Sequence, residues 1–133
     1  MVNQTLALLF ALATQSNHLP IGLLSSLCFV ESSHNVHAMH RDDGGGNSVG
    51  ICQIKLNTAR LLGFKGTEND LKNPKVNVQF AGLYLHRQLT RYHGDTPRAV
   101  SAYNAGSYRP GKQTFARNQR YVEKVFKAWG EGR

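Results

Sequence analysis

Apolar positions along this chain recur at helical spacing far more often than they alternate. Leu6 to Ala13 form an unbroken apolar stretch, which predicts a core helix over about residues 3–15. A second run, Ile21-Gly22-Leu23-Leu24-Ser25-Ser26-Leu27-Cys28-Phe29-Val30, opens behind Pro20 and predicts a helix over residues 20–33. Asn57 reads as the N-cap of a short helix closing at Gly63. Asn73-Pro74 is a stronger start, and Val78, Gly82, Leu85, Leu89 and Tyr92 then form an apolar stripe up to Gly94, the longest helix predicted. Thr96-Pro97 repeats that start, with Gly106 as the stop. A last helix over about residues 114–129 should bury Val122, Val125, Phe126 and Trp129 on one side. Residues 42–50 are too rich in glycine for helix. The expected fold is therefore mainly α in a single domain over residues 1–133, leaving room for a short β-hairpin near residues 40–54.

One position disturbs the pattern. The second apolar run ends in Cys28-Phe29-Val30-Glu31-Ser32-Ser33-His34-Asn35, which sets a carboxylate at the end of a helix that is apolar almost all round. Such a helix is normally buried, and an ionised carboxylate resists burial unless it is paired or protonated. Glu31 is thus either a helix-end residue reaching water or a perturbed acid, and periodicity does not choose.

Composition narrows the partners. With 41% hydrophobic and 18% charged residues, the chain is ordinary globular material without repeats or low-complexity tracts. Its net charge of +8 is uneven: residues 1–86 carry six Lys/Arg against five Asp/Glu, and residues 87–133 carry ten against three. The basic last third suits an anionic partner, whether wall polymer, lipid or nucleic acid. A helix-turn-helix over residues 96–129 is disfavoured, because the connection from Gly106 to Gly111 is too long for that motif's turn. Residues 6–13 are like a signal-peptide core, with Ala11-Leu12-Ala13 like a cleavage site. No Lys or Arg precedes them, however, and they are too short to span a membrane, so they read as a core helix. Cys28 and Cys52 permit one disulfide without demanding it, and small proteins commonly hold buried thiols, so the reduced state is the first expectation. His34, His37 and His40 recur every third residue before Asp42 and Asp43, but they lie past the helix end, where that spacing no longer guarantees a shared face. Asp42, Asp43 and Asn47 fail the EF-hand pattern. Neither metal nor cofactor is expected.

Four pieces remain: Glu31-Ser32, Gly50-Ile51-Cys52-Gln53-Ile54, Ala102-Tyr103-Asn104-Ala105-Gly106, and Tyr121 in the last helix. Their order and spacing resemble the lytic transglycosylases of the soluble type and, more distantly, the goose-type lysozymes. Asn35, Thr58-Ala59, Leu62-Gly63, Leu71, Asn73-Pro74, Asn77 and Tyr84-Leu85 are secondary matches to the same pattern. Two departures stand out, Ile51-Cys52 where the family has Leu-Met, and the polar glycine-rich segment between Asn35 and Gly50.

The resemblance implies a lysozyme-like fold and cleavage of the bond between N-acetylmuramic acid and N-acetylglucosamine. It makes Glu31 first the acid that protonates the leaving oxygen and then the base that takes a proton from the C6 hydroxyl, leaving 1,6-anhydromuramic ends. Most glycosidases add a second carboxylate. This family dispenses with it, the substrate's acetamido oxygen standing in. Tyr103 and Tyr121 are implied near Glu31, with Gln53, Asn104 and Ser32 bonding sugar or backbone. The rival is Asp42 or Asp43 positioning a water, which would make the protein a hydrolysing muramidase. The implied partner is the peptidoglycan strand, engaged by a monomer in the periplasm or wall, with a phage lysis enzyme, a virion component or a secretion-associated protein as settings. No membrane insertion or nucleic acid is implied.

Overall fold

The computed structural model describes residues 4–41 and 45–133. Seven helices appear in it: α1 (Gln4–Ser16), α2 (Leu23–Ser32), α3 (Leu56–Leu61), α4 (Glu68–Leu71), α5 (Pro74–Arg91), α6 (Thr96–Ala105) and α7 (Phe115–Gly130). Three two-residue strands, β1 (Met39–His40), β2 (Ser48–Val49) and β3 (Ile54–Lys55), form an antiparallel sheet in that order, pairing Met39 with Val49 and Val49 with Ile54. The mainly α expectation holds, and the hairpin expected near residues 40–54 is a three-stranded sheet.

The long helices pack as predicted by their apolar faces. α5 lies between α1 and α6, while α7 covers α2 and α6. Leu23, Leu24 and Leu27 of α2, Val78 and Leu85 of α5, Val100 of α6 and Val125 of α7 meet in one core with Ile51, Ile54 and Leu71. On α7, Val122, Val125 and Ala128 are buried, whereas Phe126 and Trp129 are only half-buried. The Trp129 indole nitrogen needs a partner and finds one at the surface, donating to the Ile21 carbonyl at 2.8 Å.

Helix ends differ from expectation where side-chain chemistry outcompetes position. α2 starts at Leu23 and not Pro20, because the backbone turns left-handed at Gly22. α3 starts one residue before Asn57, whose side chain accepts from Thr58 N instead of capping from outside. Asp95, not Thr96, caps α6 by accepting from Arg98 N at 3.0 Å. α4 carries a capping box, with Thr67 Oγ1 accepting from Asp70 N and Asp70 Oδ2 accepting from Thr67 N. The sequence carries that signal as Thr67-x-x-Asp70.

The two cysteines correct the reduced expectation: Cys28 and Cys52, both fully buried, are joined in a disulfide across a separation of 24 residues. Closing such a loop removes denatured-state entropy worth about 3 kcal/mol. The bridge ties the end of α2 to the loop between β2 and β3.

That loop is held chiefly by Asn77 on α5, fully buried. Its Nδ2 donates to the Val49 and Leu71 carbonyls at 2.8 and 2.9 Å, and its Oδ1 accepts from Cys52 N at 2.8 Å. Gly50 closes over the same amide with φ 82°, and a Cβ there would fall 2.3 Å from Asn77 Nδ2. Replacing Asn77 with Ala would leave one donor and two acceptors buried and unpaired. The expected loss is about 2–4 kcal/mol, read as a lower denaturant midpoint. Gly50→Ala should destabilise as well, through both the clash and the positive φ.

Candidate active site

Glu31 sits in the last turn of α2 and opens onto a cleft of about 340 Å³. Gln53, Tyr84, Tyr103, Asn104 and Gly106 line it, together with Ser48, Ile54, Lys55, Asn57 and Thr58. The sheet and α3 thus supply one wall, and α5 and α6 the other. Among the described residues Glu31 is the one carboxylate lining this cleft. Asp42 and Asp43 lie outside the described residues.

The acid is set by its surroundings. Tyr121 Oη, from α7, donates to Glu31 Oε2 at 2.7 Å. Burial pushes the Glu31 carboxyl up from 4.5 to about 7, while the Tyr121 hydroxyl, by bonding the ionised form, pulls it down. Burial also raises the Tyr103 and Tyr121 hydroxyls well above 10.0, with the Glu31 charge adding to it, so both stay protonated donors. Tyr84, raised by burial as well, packs its ring on Tyr103 with centroids 4.9 Å apart.

The structure brings the expected residues together but assigns several of them to the backbone. Ser32 Oγ donates to the Ile51 carbonyl at 2.6 Å and accepts from Asn35 N. Tyr103 Oη donates to the Cys52 carbonyl at 2.9 Å. Gln53, at φ 53°, folds its Nε2 back onto the Gly50 and Ala38 carbonyls at 2.9 and 3.2 Å. Asn104 is exposed at the cleft, its Oδ1 accepting from Asn118 Nδ2. Asn118 is itself buried, pairs with the Ser101 hydroxyl, and donates to the Ser101 carbonyl at 3.0 Å. So one amide on α7 fixes the end of α6 beside the cleft, three residues before Tyr121 on the same helix.

His34 is held by its own contacts with the core. Its Nε2 meets the Ser25 carbonyl at 2.8 Å, and its ring packs against Phe10 and Phe29. Among the described residues, no three His, Cys, Asp or Glu side chains are placed to hold a metal ion.

Residues 9–126 match the description "Transglycosylase SLT domain". The chain belongs to that family. It is 28% identical over 106 residues to peptidoglycan transglycosylase gp16 of Escherichia phage T7, covering 77% of this chain and 8% of that protein. It is 26% identical over 119 residues to protein IpgF of Shigella flexneri, covering 88% of this chain and 76% of that one. In three dimensions it is similar to the lytic transglycosylase Slt of Pseudomonas aeruginosa, solved as an inactive mutant with glutamate replaced by glutamine. The TM-score is 0.78 at 19% identity, over 92% of this chain and 23% of that one. The SLT fold is therefore the fold of this chain, which spans only a small part of gp16 and of Slt. No helix among the described residues is long and apolar enough to cross a membrane.

The electrostatics of the acid are open to direct measurement. The Glu31 carboxyl should titrate near 7 by carbon-detected NMR, and Tyr121→Phe should move that midpoint upward by removing the bond that favours the charged form. A midpoint near 4.5 in the wild type would show that burial does not perturb the acid.

Proposed function

We propose that this chain is a lytic transglycosylase that cuts peptidoglycan between N-acetylmuramic acid and N-acetylglucosamine. The observation that carries the reading is the Glu31 carboxyl, pushed up to about 7 and held by Tyr121, which among the described residues is the one carboxylate lining a polar cleft in an SLT fold. A glycosidic bond needs an acid that still holds its proton near neutral pH, and an apolar surround keeps it there.

The steps follow from that one group. Protonated Glu31 gives its proton to the leaving glycosidic oxygen as the bond to C1 breaks, and the acetamido oxygen of the same muramic residue shields the positive C1. Glu31, now ionised, takes the proton of the C6 hydroxyl while that oxygen bonds C1, which closes the 1,6-anhydro ring without water. The Tyr121 hydroxyl orients the carboxyl in both forms and favours the ionised one, so it helps the second half of the cycle. Tyr84 and, behind it, the buried Tyr103 add aromatic surface to the cleft that sugar rings would enter. Ser32 and Gln53 act on the substrate through the loop that they hold, and Asn104 offers its amide at the cleft surface. The enzyme acts as a monomer at the cell wall or in the periplasm.

Glu31→Gln should lower the rate of wall lysis roughly a thousandfold, because a carboxamide can neither give nor take the proton. Mass spectrometry of the digest should show 1,6-anhydromuramic ends. Reducing muramic ends alone would instead support water delivery by Asp42 or Asp43. The pH dependence has a definite sign. The first step needs the protonated acid, so kcat/KM should fall as pH rises through about 7, a limb that Tyr121→Phe displaces to higher pH.

A further inference from the structure

Where α6 ends beside the cleft, Ser101, Asn118 and Asn104 form a chain of hydrogen bonds with a fixed direction. Ser101 and Asn118 are buried, while Asn104 is exposed and lines the cleft. The Ser101 carbonyl can only accept, so it fixes which way the Asn118 amide faces. With Nδ2 on that carbonyl at 3.0 Å, the Asn118 Oδ1 takes the Ser101 hydroxyl and, at 3.5 Å, Gln119 Nε2. The second Nδ2 proton is left for Asn104 Oδ1, also at 3.0 Å.

That direction reaches the cleft. An amide whose oxygen is taken by Asn118 presents its nitrogen on the other side, and among the described residues nothing accepts from Asn104 Nδ2. Turning Asn104 over would set two NH2 groups against each other. Asn118 cannot turn with it, because its own oxygen would then meet the Ser101 carbonyl in the interior. An exposed asparagine usually offers either face to a ligand, whereas this one is held as a donor.

We propose that Asn118 is a positioning residue for the substrate, holding Asn104 with its Nδ2 toward the cleft so that it donates to an acceptor oxygen of the bound glycan strand. The inference rests on the functional reading above. Asn118 touches no sugar itself, and its effect passes through Asn104. A donor already set in place loses less side-chain freedom when the strand arrives, which lowers the cost of binding.

The test is a double-mutant cycle read as KM for soluble glycan strands, a quantity that does not depend on how much of a preparation is folded. Asn104→Ala should raise KM about fivefold, the worth of one neutral hydrogen bond. Asn118→Leu keeps the volume of the side chain and should raise KM about threefold by freeing the Asn104 amide. In the Asn104→Ala background it should add nothing. No rise in Asn118→Leu would overturn the proposal, and so would an equal rise with and without the Asn104 side chain, which marks a merely structural role. Should Asn118→Leu not fold, NMR of the Glu31→Gln enzyme decides. The side-chain amide signal of Asn104, identified by its loss in Asn104→Ala, should shift when uncut strands bind, and one that stays in place while other cleft signals move would overturn the proposal. Wild type that does not cut the strands would overturn the functional reading, and this inference with it.

Discussion

The buried amide of Asn77 is the constraint on which the rest of the site depends. Residues 49–53 cross the interior between two short strands with too few ladder partners to satisfy their backbone. Asn77 takes two carbonyls and one N–H, Ser32 takes the Ile51 carbonyl, and Tyr103 takes the Cys52 carbonyl. The disulfide adds a covalent tie to α2. Because unpaired backbone groups are costly in the interior, each of these side chains is needed to keep an irregular loop buried. The loop then does what a regular strand would not, placing Gln53 in the cleft that Glu31 lines.

The burial of Glu31 has an energetic cost that points to function. A carboxyl whose folded value is about 7 and whose unfolded value is near 4.5 weakens folding as pH rises between them, because the unfolded chain releases the proton first. Above about 7 that penalty is complete. A helix end could have avoided it by pointing the acid into water. Instead α2 buries it, and the Tyr121 bond returns only part of the loss. Such local conflict, surrounded by a core in which helices and side chains agree, is the signature of a site shaped for chemistry rather than stability.

Sequence order and tertiary position stand in an instructive relation here. Glu31, Gln53, Tyr103, Asn104 and Tyr121 were all legible as candidates from motif order, and the cleft does gather Glu31, Gln53, Tyr103 and Asn104, with Tyr121 bonded to Glu31 from α7. What each side chain bonds was not legible. Ser32 and Tyr103 look from the motifs like ligands of sugar, but both hydroxyls are occupied by the buried loop. Asn77 is only a secondary match to the family pattern and Asn118 looks like an ordinary helix polar residue, yet each proves to be a fully engaged internal amide. A polar residue facing inward on a helix carries no mark in its own sequence neighbourhood, because its partners lie on segments far along the chain.

By itself the sequence determined the long helices, through apolar period and the Pro and Gly signals at their ends, and it singled out the one carboxylate that an apolar helix could perturb. Those are local properties, written in spacing and side-chain type. Tertiary structure alone decided that Cys28 and Cys52 meet, that Tyr121 rather than Tyr103 bonds the acid, and that Asn77 and Asn118 hold the loop and the helix end beside the cleft. Each of these depends on distances between segments that only the closed core sets.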